Sequence, residues 1–271
     1  MDEKLIMRAT FKTHKSSPRQ HFHNAYQILY IKSNGTKLNI NGVYYEANKG
    51  TLVFMCPLRN HFFEFEGESA ERYELLINSA VAEKCILNPM LMSVFQARPD
   101  VESCMVETGE LGEEAEMLIK EIVTEYEADG EFTNDVQIAN MYKLLTFVFR
   151  KFPRLCELAQ TKSEKHINLI RKYIEEKFSE QLSIEEVAEI FHINRYYLTH
   201  RFKRVTGYSP KQYVLLCRIA KARQLLTGSN ISIMEIAGLC GFGDASNFSR
   251  QFRTETGYTP KEFRAKYKNV I

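Results

Sequence analysis

The sequence predicts an α+β protein of two domains: an N-terminal antiparallel β-barrel with accessory helices, and a C-terminal all-α domain. Three observations lead to this prediction. Short β-rich segments separated by turn signals fill residues 26–77, as in small antiparallel barrels and sandwiches. After residue 111 apolar side chains recur every three or four positions, which indicates helices. Residues 183–210 and 232–260 then repeat one pattern of helix, turn and helix.

Length, composition and cysteine spacing limit the class of protein. The 271 residues suffice for two domains, each with its own core. We expect a cytoplasmic protein, because the sequence has neither an apolar run of membrane-spanning length nor a signal-peptide pattern at its start. The six cysteines lie far apart without a C-x-x-C pair, which favours reduced, buried thiols over a redox sensor.

The net charge of +2 is unevenly distributed along the chain. Residues 191–271 contain fourteen Lys and Arg against four Asp and Glu, whereas the residues before 163 carry a net −5. Such asymmetry indicates a polyanionic partner for the C-terminal end.

Five segments in the N-terminal half have the composition of β-strands. Asn41-Gly42 lies between two of them and predicts a tight type I′ hairpin. The predicted strands are Tyr26–Lys32, Thr36–Ile40, Val43–Tyr45, Thr51–Met55 and Arg72–Ile77.

Two helices are predicted after the strands. The first has an apolar stripe from Leu111 to Tyr126, and the second runs from about Asn134 to Phe152 and ends at Pro153. The first stripe is broad enough to cover the barrel alone or to cover it and also contact a second subunit. Both alternatives stay open from the sequence.

The repeated segment begins each copy with a helix-start signal. Ser183-x-x-Glu186 and Ser232-x-x-Glu235 are capping boxes, in which the hydroxyl and the carboxylate satisfy amides that a helix start leaves free. The offset between the copies is 49 residues before the turn and 50 after it, so the second copy has one more turn residue.

The second helix of each copy has an equally clear end. Gly207 and Gly257 are predicted to terminate these helices. The segments SPKQ at 209–212 and TPKE at 259–262 start the next helices with an N-cap, Pro at N1 and a capping box. Residues 210–226 therefore form one helix that links the two helix-turn-helix subdomains.

The outward faces of the two second helices carry polar and basic side chains without an acid. Leu198 and Phe202 anchor the first helix, Phe248 and Phe252 the second, and the opposite faces follow at about 100° per residue. Those faces and their flanks hold Tyr196, Thr199, His200, Lys203 and Arg204 in the first copy, and Ser246, Asn247, Arg250 and Arg253 in the second.

A single helix-turn-helix pattern also fits an ordinary helical corner. Duplication, local positive charge and acid-free faces together favour double-stranded DNA, because Arg binds guanine, Asn binds adenine, and Ser or Thr bind a base or a phosphate.

The last hundred residues resemble the AraC/XylS family of bacterial transcription regulators. The resemblance rests on IAGLCGF at 236–242, DASNFSRQF at 244–252, GYTPKEFR at 257–264 and RIAKARQLL at 218–226. It implies two subdomains in successive major grooves on one face of DNA. It also places Tyr196, Thr199 and His200 at base edges in the first copy, and Ser246, Asn247 and Arg250 in the second. His200 stands where the family often has Arg.

The domain prediction follows from these segments and the resemblance. Residues 1–152 form an effector-sensing and dimerisation domain, 153–164 a polar linker, and 165–271 the double helix-turn-helix domain. By the same resemblance we expect promoter DNA, a small-molecule effector, RNA polymerase and a second copy of the chain as partners.

A group of histidines in the N-terminal half resembles the cupin pattern of a His-x-His pair, a Glu and a later His. Here the positions are His21, His23 and His61, with Gln27 in place of the Glu. Three alternatives stay open: a ligand pocket without metal, a Zn, Fe or Mn site, or structural histidines. Favouring the first, we predict an effector site of these four residues and Tyr30.

The resulting hypothesis is a sequence-specific DNA-binding transcription regulator, an activator whose N-terminal domain senses a small molecule such as a sugar or related metabolite, with repression as the open alternative. No catalytic grouping or phosphate-binding glycine loop is apparent, so we expect neither catalysis nor a cofactor. The competing hypotheses are a metal-dependent cupin enzyme with a regulatory DNA-binding tail, and an RNA-binding or partner-docking protein.

Overall fold

The computed structural model describes residues 4–14, 17–40, 42–65, 70–96, 104–156 and 162–268. Contacts divide the chain into two compact units, Met1–Gln160 and Thr161–Ile271. The first unit combines strands with helices, and the described part of the second is helical, so the α+β prediction is confirmed. No helix within the described ranges is both long and apolar enough to cross a membrane.

The strands of the N-terminal unit form two antiparallel sheets. The five-stranded sheet has the order β1-β8-β3-β6-β9, and the four-stranded sheet has the order β2-β7-β4-β5. The prediction of an antiparallel β domain is thus confirmed. Among the described residues, no strand pairing closes the two sheets into a barrel. The strands are β1 (Ile6–His14), β2 (Ser17–His21), β3 (Tyr26–Ile31), β4 (Thr36–Ile40), β5 (Val43–Ala47), β6 (Thr51–Met55), β7 (His61–Phe65), β8 (Ala70–Ile77) and β9 (Met105–Glu107).

All five predicted strands are present, and four more were not predicted. The hairpin between β4 and β5 is confirmed by the pairing of Ile40 with Val43 and by Gly42 at φ +89°, while Asn41 lies outside the described residues. The strands β1, β2, β7 and β9 escaped prediction because their local pattern is weak. The strand β2, for example, has the sequence SPRQH, with no β-branched or aromatic residue.

The five-stranded sheet is buried on both faces. Along β3, Ile28 and Tyr30 belong to the core beneath the helices, whereas Leu29 and Ile31 belong to a second core, which also contains Leu38 and Phe63 of the other sheet. Side chains alternate between the two faces of a strand. Because a core lies on each face of β3, every one of its residues is buried. We call the space between the two sheets the interior.

Two long helices cover the outer face of this sheet. They are α3 (Gly112–Ala128) and α4 (Thr133–Lys151), in agreement with the predicted pair. Buried Ile119 and Ile122 of α3 and Leu144 of α4 share one core with β3. Thus the stripe predicted on the first helix does cover the sheet.

Three short helices complete the N-terminal unit: α1 (Ser79–Cys85), α2 (Pro89–Met92) and α5 (Pro153–Cys156). The last of these differs from the predicted linker, which was to begin at residue 153. Leu155 and Cys156 are buried in the core beneath α3 and α4, because they are the apolar residues of an otherwise polar stretch. The unit therefore continues beyond the predicted start of the linker.

The C-terminal unit consists of helices throughout its described length. They are α6 (Lys162–Lys177), α7 (Ile184–Ile190), α8 (Arg195–Thr206), α9 (Pro210–Gly228), α10 (Ile233–Leu239), α11 (Ala245–Thr256) and α12 (Pro260–Tyr267). The predicted capping boxes are confirmed at the starts of α7, α9, α10 and α12. The predicted terminations are also confirmed, since Gly207 and Gly257 cap α8 and α11 with left-handed backbone.

The two copies match at the level of single hydrogen bonds. Thr206 donates to the carbonyl of Phe202 at 2.8 Å, and Thr256 donates to that of Phe252 at 2.7 Å. In the turns, His192 and Gly241 both have positive φ, 51° and 79°. The repeat seen in the sequence is therefore a structural duplication.

Arg218 of the linking helix α9 connects the two copies. Its Nε donates to the carbonyl of Phe178 at 2.8 Å and its Nη2 to that of Glu180 at 3.0 Å, in the loop after α6. Its guanidinium also lies 5.7 Å from the ring centre of Phe242 in the second turn. At the same place Gly241 lies against Ser179, so that an added Cβ would come within 2.5 Å of the Ser179 carbonyl oxygen.

Gly241→Ala should destabilise the second copy by about 2 kcal/mol or more, because it combines a strained positive φ with a clash against backbone. Gly238→Ala is the matched control: Gly238 is helical and an added Cβ meets nothing within 4 Å, so its effect should stay within about 1 kcal/mol. Urea unfolding of the full chain and hydrogen exchange in α10 and α11 measure both. Equal stability of the two variants would contradict the close contact with Ser179.

Candidate nucleic-acid interface and ligand site

The exposed face of α8 carries the residues predicted for the first copy. Tyr196 is 72% exposed, and its ring centre lies 4.2 Å from that of His200. Lys203 and Arg204 are exposed one turn further on, whereas Thr199 is partly buried and donates to the Arg195 carbonyl at 2.9 Å. The face thus presents two aromatic rings in tilted contact, at 46° to each other, followed by two cations.

The buried side of α8 fixes the direction of that face. Leu198 and Phe202 are fully buried, as the sequence predicted. A further contact was not foreseen: the hydroxyls of Tyr197 and Ser163 lie 2.7 Å apart, and Arg201 Nε donates to Ser163 Oγ at 2.9 Å. The start of α6 is therefore tied to the helix that presents the exposed face.

The exposed face of α11 is more ordered. Arg250 Nη2 donates to the side-chain oxygen of Asn247 at 3.2 Å. The backbone N–H of Asn247 donates to the Asp244 carboxylate at 2.7 Å. Ser246 and Arg253 are exposed on either side. The N-cap thus positions Asn247, and Asn247 in turn positions the guanidinium.

The rear of α11 is anchored by aromatic rings. Phe248 and Phe252 are fully buried, with ring centres 5.6 Å apart. The helix contains one acid, Glu255, which lies about 140° around the axis from Arg250. The Arg250 face therefore carries hydrogen-bond donors and positive charge, the chemistry that suits base edges and phosphates in a groove.

In the N-terminal unit, three of the predicted ligand residues come together. His23 contacts the side-chain oxygen of Gln27 through Nε2 at 3.3 Å, and its ring centre lies 5.2 Å from that of His61. Gln27 and His61 are almost completely buried, and His61 Nδ1 donates to the Arg59 carbonyl at 2.9 Å. They form a polar group at one end of the interior.

The other two predicted residues stand differently. The backbone of β2 places His21 opposite His61, and nothing further is described for its side chain. Tyr30 does not lie with the histidines. It is three positions after Gln27, so strand alternation places its side chain on the other side of β3. Its hydroxyl donates to the Gly112 carbonyl at 2.9 Å. Within the described part of the chain, no three His, Cys, Asp or Glu side chains could hold a metal ion.

A buried charge cluster was missed by sequence reasoning. The Glu74 carboxylate is 3% exposed and lies 2.6 Å from Arg8, 2.7 Å from Lys12 and 3.6 Å from Arg72. Burial by itself raises the pKa of Glu74, but attraction to Lys12 and Arg8 outweighs it and holds that pKa well below its usual value. The alternation of charged Arg72 and Glu74 with apolar neighbours in β8 was the signal that could have revealed it.

Comparison with known families assigns both parts of the chain. Residues 6–145 match the AraC-like ligand binding domain, which is more than half of the chain, and residues 187–266 match a helix-turn-helix domain.

Comparison with individual proteins adds relatives across nearly the full length. The HTH-type transcriptional activator RhaS of Klebsiella pneumoniae is 27% identical over 250 residues, covering 90% of this chain and 87% of that protein. RhaS of Salmonella arizonae is 27% identical over 259 residues with the same coverage. ToxT from Vibrio cholerae, solved with a bound unsaturated fatty acid, has the same fold with a TM-score of 0.64 at 14% identity, covering 100% of this chain and 99% of its own.

Glu74→Gln should destabilise the N-terminal unit by about 3 kcal/mol at pH 7, because it leaves buried cations without their anion. Since the folded-state pKa of Glu74 is lowered, its contribution is complete above the unfolded carboxyl pKa of about 4. The difference between wild type and variant should therefore shrink as the pH falls below about 4. Urea unfolding at a series of pH values measures it.

Asp129→Asn provides the control for this prediction. It breaks the Lys4–Asp129 pair, whose side chains are 58% and 63% exposed, and should cost less than about 1 kcal/mol. A comparably small loss in both variants would show that the Glu74 cluster contributes no more than a surface ion pair.

Proposed function

Because the chain belongs to the AraC family of DNA-binding transcription regulators, we propose that it activates transcription at promoter DNA in response to a small molecule. Proteins of this family are regulators and not enzymes, so the alternative of a metal-dependent enzyme with a DNA-binding tail is dropped. Activation is supported by the relatives named transcriptional activators, at 27% identity. We also propose that activation involves contact with RNA polymerase. The protein would then act in the cytoplasm.

The duplicated, outward-facing helices α8 and α11 carry the proposal. In it, α8 and α11 enter successive major grooves on one face of the duplex. Base edges are contacted by Tyr196, Thr199 and His200 in one groove and by Ser246, Asn247 and Arg250 in the next. Phosphates are contacted by Lys203, Arg204 and Arg253.

The two helices contribute unequally to base recognition in this proposal. Arg250 is already oriented by Asn247, and an oriented guanidinium loses less freedom when it binds guanine. The first copy offers the Tyr196–His200 ring pair, which has fewer hydrogen-bond donors. The second copy therefore supplies more of the sequence specificity.

The proposed effector site is the polar end of the interior, within sheets that close as a barrel around the ligand. His23, Gln27 and His61 line it, and His21 joins them through its place opposite His61. The amide nitrogen of Gln27 is buried without a hydrogen-bond partner in the described structure, which supports a polar ligand such as a sugar. Tyr30 is left out because it faces α3.

We propose that the chain acts as a homodimer through the outer groove of α3 and α4. Leu118 and Phe147 line this groove, with Glu114 on the α3 side and Lys143 and Arg150 on the α4 side. An acidic edge beside a basic edge is self-complementary: a second copy related by a two-fold axis places its basic edge on the acidic edge of the first.

Arg250→Ala should weaken binding to the specific site by about 1–3 kcal/mol more than binding to random duplex DNA, because a base contact is lost. Lys49→Ala removes the same charge from an exposed position in the N-terminal unit and should leave both affinities unchanged. Competition binding at fixed salt measures them. An equal loss on both DNAs would reassign Arg250 to a phosphate.

Leu118→Glu should convert the dimer to monomers, because it places a charge in the apolar groove and breaks its complementarity. Val43→Glu is the control, since Val43 is 54% exposed on β5, outside this groove. Sedimentation of the folded proteins distinguishes them. A folded Leu118→Glu variant that is still dimeric would place the subunit interface elsewhere.

A further inference from the structure

Arg72 is a buried cation held between the two sheets. It belongs to β8 of the five-stranded sheet, and its guanidinium lies 4.2 Å from the ring centre of Phe63 and 5.8 Å from that of Phe65 on β7 of the other sheet. Its side chain is 4% exposed. The Arg72 guanidinium therefore points into the interior rather than to solvent.

The charges around Arg72 do not balance. Among the described residues, Glu74 is the acid that contacts the three cations Arg8, Lys12 and Arg72, and it lies closer to Arg8 and Lys12 than to Arg72. In the described structure Nε and Nη1 of Arg72 are buried and have no hydrogen-bond partner. Buried charged donors without acceptors are costly. An additional anion beside Arg72 would therefore be stabilised by the net positive charge of the cluster.

A buried hydroxyl at the same place has the same need. Thr10 lies directly opposite Glu74 in the pairing of β1 with β8, and its Oγ1 is buried without a partner in the described part of the chain. A ligand oxygen beside Arg72 could accept from both residues. The unsatisfied donors thus lie on neighbouring strands, two positions apart in register.

This position is distinct from the histidine end. Arg72 is opposite Ile31 on β3, and Leu76 is opposite Gln27. Gln27 and Ile31 are four positions apart along β3, which corresponds to about 13 Å. The cluster reaches solvent at β1, an edge strand whose Arg8 side chain is 35% exposed.

We propose that the interior binds an organic carboxylate at Arg72, so that the effector of this regulator is an acid. This inference rests on the proposed role of the N-terminal unit as an effector-binding domain. A carboxylate offers planar acceptor oxygens that match guanidinium donors, and it supplies the charge that the cluster lacks. A neutral ligand would leave that charge uncompensated.

The test uses the purified full chain and three acids, each paired with its neutral amide. The probes are benzoate and benzamide, hexanoate and hexanamide, and D-glucuronate and D-glucuronamide, which vary the body and keep the acid group. At least one acid should bind at millimolar concentration or better by calorimetry, and its amide should bind about tenfold more weakly or not at all, as expected for loss of a charge-assisted hydrogen bond.

Variants at Arg72 locate the binding site. Arg72→Gln should lose binding of that acid by about tenfold or more, and Arg72→Lys, which keeps the charge without the planar fork, should lose less. Lys49→Gln removes an exposed charge and should bind as wild type. Circular dichroism checks folding; if Arg72→Gln does not fold, Thr10→Val, which removes one donor and keeps the shape, should still weaken the acid relative to its amide.

Three outcomes overturn the inference: no acid of the panel binds, an amide binds as well as its acid, or the acid binds Arg72→Gln as it binds wild type. Failure of the proposed function is recognised separately. Duplex DNA binding is measured on the same preparation, and its absence would contradict the regulator while leaving an Arg72-dependent carboxylate site in place.

Discussion

The contacts of the Arg218 guanidinium constrain how the helices of the C-terminal unit are arranged. DNA presents successive major grooves at a separation of about 34 Å, so the binding mode proposed above requires α8 and α11 to be held at a fixed distance. The linking helix α9 spans nineteen residues, or about 28 Å. A helix alone fixes length but not rotation. Arg218 fixes the rotation of α9 relative to its neighbours, because it donates to two carbonyls after α6 and lies against the Phe242 ring of the second turn.

A second buried contact holds α9 against α6. The Glu175 carboxylate accepts from Arg171 at 2.6 Å and from the Tyr213 hydroxyl. Burial, reinforced by Glu175, raises the pKa of Tyr213 well above its usual value, so the phenol keeps its proton and continues to donate. The copies differ at their turns because a neighbouring segment crowds the second turn. His192 fits the first turn, whereas Gly241 is required in the second, where the backbone of Ser179 leaves no room for a side chain.

The two units differ in how far sequence predicts structure, and the reason is the range of the interactions. Many helix starts and ends in the C-terminal unit depend on signals within four residues, such as the box formed by Ser232 and Glu235. The starts of α7, α9, α10 and α12 and the ends of α8 and α11 were predicted from them. The N-terminal strands β1, β2, β7 and β9 owe their existence to distant partners, as does the burial of Arg72 and Glu74, which a local pattern would leave exposed. Tyr30 differs from its predicted place for a local reason: it lies an odd number of positions from Gln27 on β3, so its side chain faces the helices.

The position of Tyr30 gives it a different role, which links the interior to the surface proposed for the dimer. The strand β3 faces the interior through Gln27, while its Tyr30 hydroxyl donates to the Gly112 carbonyl at the start of α3. The neighbouring strand β8 repeats the arrangement, since Tyr73 on its outer face donates to Glu116 of α3 at 3.4 Å. The walls of the interior and the supports of α3 are therefore the same two strands. Because a close-packed sheet transmits a shift rather than absorbing it, an occupant that moves β3 or β8 also moves α3, and this supplies a direct route from the ligand site to the groove of α3 and α4.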